Sequence, residues 1–171
     1  MVLALLAAAA LASGARAADR AIYLSVTGLK QGKFKAPVVL GGKSPDRIVV
    51  TGVSYQITAP HDQATGQISG KRAHSPITIT KEWSAATPQF LQAFATNETL
   101  PQVLIEFVRP AAAIGAKEEV YYTIKLTNAR ISEIRASTRD QVEIEEIFFL
   151  YDRMEITHVG GGTAAVDDWR S

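Results

Sequence analysis

Apolar and polar residues alternate with a period of two along most of this chain, the spacing of half-buried strands. Over 77–83 the alternation predicts a strand with Ile77, Ile79 and Trp83 on one face and Thr78, Thr80 and Glu82 on the other. Ile22, Leu24 and Val26 predict a first strand closed by Gly28. Val49, Thr51, Val53, Tyr55 and Ile57 predict a second, in which Gly52 marks a bulge or a close approach. Val103, Ile105 and Phe107 belong to a strand that is apolar on most of both faces, hence central, and that breaks at Arg109-Pro110. Val120, Tyr122, Ile124 and Leu126 give the clearest alternation, running on, bent, through Ala129, Ile131 and Ile134. After a polar hairpin region at 135–141, Val142, Ile144, Phe148, Leu150, Met154 and Ile156 predict one face of a long, bulged strand.

One stretch has a helical period instead. Thr87 offers a capping oxygen and Pro88 suits the first helical position, so a helix is predicted from Pro88 to Asn97, before Leu100-Pro101. Phe90, Leu91, Phe94 and Ala93 would cover its apolar side. A lone helix with two Phe on one side must bury them against strands, as a plug or lid. Six or more strands with one helix indicate an antiparallel barrel or a sandwich.

The connections are uneven. Residues 30–47 carry Lys30, Lys33, Lys35, Lys43 and Arg47 with turn chemistry at Gly41-Gly42 and Ser44-Pro45-Asp46; no helix start follows the glycines, so these read as solvated lysines rather than a phosphate-binding arm. Residues 59–73, polar and containing Pro60, Gly66 and Gly70, form a loop of a length that is usually functional or disordered. Residues 111–117, with Gly115, read as a turn, and 158–169 as a glycine hinge ending in a buriable Trp169.

A length of 171 residues suits one domain. The absence of cysteine excludes disulfides, thiol catalysis and thiolate metal sites. Residues 1–12 are apolar and Ala-rich, and Ala15-Arg16-Ala17 provides small residues for a cut before Ala18, so 1–17 read as a signal peptide and 18–171 as the mature domain, secreted or periplasmic. The apolar run is too short to span a bilayer, and it departs from the usual signal in having no Lys or Arg before it. Loss of Arg16 with that segment leaves basic and acidic residues equal at 17 each, which favours neither nucleic acid nor an anionic membrane as partner and tolerates self-association.

Candidate chemistry is sparse. His61, His74 and His158 lack companions at metal-ligand spacing, and His74 beside Pro76 reads as a packed or hydrogen-bonded turn residue. Asp167 and Asp168, as chain neighbours, read as capping, ion-pairing or solvated groups rather than a carboxylate pair at work. Ser54 lacks the Gly-x-Ser-x-Gly frame. Glu143, Glu145 and Glu146 split across strand faces, with Glu146 the odd one on the apolar side; Asn97-Glu98-Thr99 matches a glycosylation acceptor only formally. No catalytic, cofactor-binding or metal residue is assigned, and an enzyme is not expected.

Three blocks together resemble the Hcp family, the haemolysin-coregulated tube proteins of type VI secretion. They are His74-Ser75-Pro76-Ile77-Thr78-Ile79-Thr80-Lys81 followed by Thr87-Pro88 and the helix; Tyr121-Tyr122-Thr123-Ile124-Lys125-Leu126-Thr127-Asn128-Ala129-Arg130 with Ile131 and Ile134; and Ile156-Thr157-His158 through the glycines to Asp167-Asp168-Trp169. The resemblance covers nearly all of 20–170. The chain departs from the family in having Ser84 where an acidic residue is usual, Gly28-Leu29-Lys30-Gln31-Gly32 where a Gly-x-Lys-Gly turn is usual, and an apparent signal peptide. What the resemblance implies is a two-sheet β-barrel with one helix at its side, closing into a homo-hexameric ring. Such rings stack into a tube, and the loop at about 58–75 joins neighbours. The implied partners are the spike protein, the contractile sheath and small effectors, with no cofactor, nucleic acid or membrane. The competing reading is an exported β-barrel that binds a ligand or polymer without a role in secretion.

Overall fold

The computed structural model describes residues 20–36, 47–111 and 118–168. In chain order the elements are β1 (Ala21–Gly28), β2 (Gly32–Lys33), β3 (Ile48–Val50), β4 (Gly52–Ser54), β5 (Ile57–Thr58), β6 (Ala73–His74), β7 (Ile77–Glu82), α1 (Thr87–Ala95), β8 (Leu100–Arg109), β9 (Glu119–Arg139), β10 (Val142–Leu150), β11 (Arg153–His158) and β12 (Thr163–Asp168). The protein is thus mainly β with one short helix, and its strand pairs are antiparallel. The expected signal peptide, Lys43, Gly41-Gly42, Ser44-Pro45-Asp46, Gly115 and Trp169 lie outside the described residues.

The long strand β9 runs through both sheets. Its first half pairs with β8 on one edge and β11 on the other, and its second half pairs with β10. One sheet holds β1, β8, β9, β11 and β12 with β2 and β3 on the far edge of β1; the other holds β9, β10, β7 and β4. A second connection comes from the chain itself, because β3 pairs with β1 and β4 pairs with β7 with only Thr51 between them. The resulting two-sheet barrel is closed on that side by a crossing chain rather than by an unbroken hydrogen-bond ladder.

That crossing corrects the second predicted strand. Residues 48–57 are not one strand but three pieces, and Ile48 and Val50 point inward while Val49 is exposed. The inward parity changes at Thr51, so Val53 packs on the core with the next sheet. Gly52 is a close approach as expected: a Cβ there would stand 3.3 Å from the Thr80 side chain.

The last predicted strand is corrected in the same way. β10 and β11 follow one another along β9, with Leu150 opposite Arg130 and Arg153 opposite Thr127, but a break at Tyr151-Asp152 shifts the inward face. Ile147, Phe149 and Tyr151 are buried in β10 and beyond it, whereas Met154 and Ile156 face the core in β11. Val142 and Leu150, expected inward, are exposed. β9 makes the matching change where Asn128 adopts φ +50°: Ile124 and Leu126 are buried before it, Ala129 and Ile131 after it. The predicted polar hairpin at 135–141 is strand to Arg139, and only Asp140 and Gln141, both at positive φ, make the turn, a geometry that matches strand twist. The tail is likewise a hairpin, with 159–162 as its turn and β12 as an edge strand, rather than a hinge.

The helix begins at Thr87, with Pro88 in its first turn, but its cap is Ala86 and makes no side-chain capping bond. Thr87 is engaged elsewhere: its hydroxyl accepts from the Ser84 N–H at 2.9 Å and donates to Glu145 at 2.6 Å. The buried side of the helix is Ala86, Phe90 and Ala93, while Leu91 and Phe94 are 59% and 41% exposed, against expectation. Phe90 meets Phe34 edge-on at 5.1 Å and Phe149 at 6.3 Å, which makes it the plug of the core. Trp83, expected inside, lies beyond the end of β7 and is 54% exposed; the inward place between Ile79 and Trp83 belongs to Lys81, which is wholly buried.

Candidate assembly site

The segment from β5 to β6 forms an arm. Its two short strands pair with each other, apart from the two main sheets, and residues 57–73 are exposed. Its tip is folded by Asp62, whose Oδ1 accepts the Ala64 and Thr65 N–H groups at 2.9 and 2.8 Å and the Thr65 hydroxyl at 3.0 Å. The two N–H bonds and the hydroxyl bond hold the Asp62 carboxyl below the usual carboxylate value. Gly66 takes φ +70° at the turn, and the Ser69 N–H returns to the Pro60 carbonyl at 2.9 Å. The predicted long loop is therefore an ordered excursion that presents Ile68, 71% exposed, and Tyr55 and Ile57 at its root.

At that root three distant parts of the chain meet. His74 Nδ1 lies 3.1 Å from the Tyr151 hydroxyl and His74 Nε2 lies 3.1 Å from Asp167 Oδ2. Arg72 donates to both oxygens of the same carboxylate, at 2.9 and 3.2 Å. His74 is packed and hydrogen-bonded as expected, and of the capping, ion-pairing and solvated readings of Asp167 the ion pair is the one formed, joined to that histidine. Burial, then the negative charge of Asp167 and Tyr55, pushes the Tyr151 phenol up to about 12. A hydroxyl, an imidazole and a carboxylate in contact have the connectivity of a nucleophilic set, but here Arg72 grips the carboxylate with two hydrogen bonds. The group ties segments together instead.

A crevice of about 270 Å³ beside it is lined by Ala59, Ile68, Gly70, Lys71, Arg72, His74, Asp167 and Asp168.

The other candidate residues do not join this group. His61 is exposed on the arm, Ser54 lies at an exposed strand end, and His158 Nδ1 accepts the Gly161 N–H at 2.8 Å within the β11–β12 turn. Among the described residues no three or more His, Asp or Glu are grouped to hold a metal ion.

Two carboxylates are buried among the described residues. Glu145, not Glu146, is the buried acid of the 143–146 group, and Lys81 donates to it at 2.5 Å, to the Glu82 carbonyl at 2.6 Å and more weakly to Thr87 at 3.4 Å. Burial pushes the Lys81 ammonium below its ordinary value, and the hydrogen bond and charge of Glu145 oppose the shift. Glu98, inside the formal glycosylation triplet, is also buried; it receives the Lys30 and Gln31 N–H groups at 2.6 and 2.9 Å and the Gln31 side chain at 2.9 Å. Burial pushes the Glu98 carboxyl up, but these hydrogen bonds outweigh it and leave it below the usual value. Glycine at 28 is needed for this clamp, since a Cβ there would stand 2.5 Å from Glu98 Oε1.

The family described as "Type VI secretion system effector, Hcp" matches residues 23–158. A protein described as "Major exported protein" from Pseudomonas aeruginosa is 32% identical, the alignment covering 87% of this chain and 95% of that one. Among solved structures, a crystal structure of an Hcp protein superposes with TM-score 0.80 at 28% identity, covering 89% of this chain and all of the other. The secreted protein Hcp3 from Pseudomonas aeruginosa superposes with TM-score 0.73 at 30% identity, covering 90% and 100%.

Proposed function

Because the chain belongs to the Hcp family of type VI secretion proteins, we propose that it is a structural subunit that closes into a homo-hexameric ring, and that such rings stack into a tube or act as an exported carrier. The observation that carries this reading is the arm at 57–74, which presents Ile57 and Ile68 to solvent and touches its own subunit only near its root, through Arg72 and His74. A closed ring needs two different patches on each subunit, and an arm that reaches a neighbour is one of them. In this reading 1–17 is a signal peptide and 18–171 the mature domain, and the partners are the spike protein, the sheath and small effectors. No reaction is assigned: the Tyr151–His74–Asp167 group is engaged by Arg72, which donates to both oxygens of the carboxylate. The alternative, an exported ligand-binding module, calls for a largely apolar pocket of roughly 300–1,000 Å³. The crevice beside the arm, of about 270 Å³, falls just short of that size and has Lys71, Arg72, Asp167 and Asp168 among its lining residues.

Size-exclusion chromatography with light scattering on residues 18–171 tests the ring. The expected mass is about six subunits at micromolar concentration. A strict monomer at high micromolar concentration would sink the proposal.

A further inference from the structure

We infer that Asp167 is a latch: the edge strand β12 uses this one carboxylate to set the direction of the 57–74 arm, and so readies the arm to engage a second copy of this chain. The inference rests on the ring reading for its purpose, but the latch itself stands on geometry. β5 and β6 carry on the β4–β7 pairing past a one-residue register shift, bridged by the Ser75 N–H to the Gln56 carbonyl at 2.9 Å, so the backbone ladder is interrupted where the arm leaves the body and sets its angle only loosely. Asp167 takes both Arg72 donors and the His74 ring, and His74 reaches Tyr151 at the junction of β10 and β11. The His74 side chain is 3% exposed and that of Asp167 is 20% exposed, so the junction is screened from water although Arg72 is open.

A two-pronged guanidinium–carboxylate contact fixes direction as well as distance. An arm already held in its bound direction avoids the loss of freedom that a swinging arm would suffer on association. The control point is therefore remote in sequence, since Arg72 and Asp167 are 95 positions apart. Whatever loosens β12 from β11 would also unseat the arm.

The test compares wild type with Asp167→Asn, which keeps the shape and removes the charge, and with Arg72→Gln, a change at an exposed side chain that leaves folding intact. Hydrogen exchange is read below the assembly concentration, and light scattering gives the concentration at which rings form. Both variants should speed exchange of amides in 57–75 by about tenfold or more, the scale of one lost charge-assisted contact, with β1 and β8 unchanged. Both should raise the assembly concentration in step, and the reversed pair Arg72→Asp with Asp167→Arg should recover part of each effect. Arm exchange equal to wild type in both variants overturns the latch. A loosened arm with an unmoved assembly concentration overturns its role in readying the arm. If the wild type never assembles, the ring reading fails, and the exchange comparison still decides the latch.

Discussion

Lys81 occupies a place where the alternation Ile77, Ile79 calls for a third apolar side chain, and reading Trp83 as that residue passed over it. A charge is expensive to bury unless it is paired and its remaining donors are used, and Lys81 meets that condition through Glu145, the Glu82 carbonyl and Thr87. The signal was present in the strand parity: Lys81 is in phase with Ile77 and Ile79, and Glu145 with Ile147 and Phe149. What the sequence could not show is that β10 and β7 lie side by side, with Lys81 opposite Glu145. Glu145→Ala, which strands the buried ammonium, should cost about 3–5 kcal/mol in urea unfolding. Lys81→Met combined with Glu145→Leu should cost far less, because it removes both charges together. Equal losses in the single and double variants would mean that packing, not the unpaired charge, sets the cost.

Strand existence was legible, and so was the inward face of β1, β7, β8 and β9, whereas facing was misassigned in β3–β4 and β10–β11 for a single physical reason. β3–β4, β9 and β10–β11 each pass from one sheet to the other, and each changes its inward parity at the crossing: at Thr51, at Asn128 and at Tyr151-Asp152. A period-two reading carried through such a point assigns the far half to the wrong face, which is how Val142 and Leu150 were expected inside. The helix shows the same sensitivity on a smaller scale. Ala86, Phe90 and Ala93 are spaced i, i+4, i+7 and are buried, while Phe94, at i+8, lies at the margin of that stripe and is 41% exposed. Phe90→Ala should therefore cost about 3–5 kcal/mol, and Phe94→Ala, by contrast, less than about 1 kcal/mol, measured on the same unfolding curves. A large loss at Phe94 in the isolated subunit would show that the outer side of the helix is covered in solution.

At the scale of the whole molecule, the resemblance in three sequence blocks supplied what periodicity alone left open, the choice of a two-sheet barrel over a sandwich; the arm cluster was visible only as separate residues, since nothing in the chain announces that Arg72, His74, Tyr151 and Asp167 converge. Export is the property on which the local signal and the family expectation pull apart. A tube subunit is expected to assemble in the cytoplasm and leave through the secretion machine, whereas residues 1–17 read as a cleavable export signal. The family match begins at residue 23 and β1 at Ala21, so a cut before Ala18 would leave every described element in place. Cleavage would also remove Arg16 and bring the formal charge from +1 to zero, a balance that lowers the repulsion between subunits. A subunit that folds only after export would lie beyond the reach of a cytoplasmic sheath, and would work as a free ring or carrier. The expected outcome is an Ala18 N-terminus by intact-mass analysis of protein expressed from its own start and recovered outside the cytosol. Uncleaved protein in the cytosolic fraction would overturn the export reading and favour the ordinary tube reading.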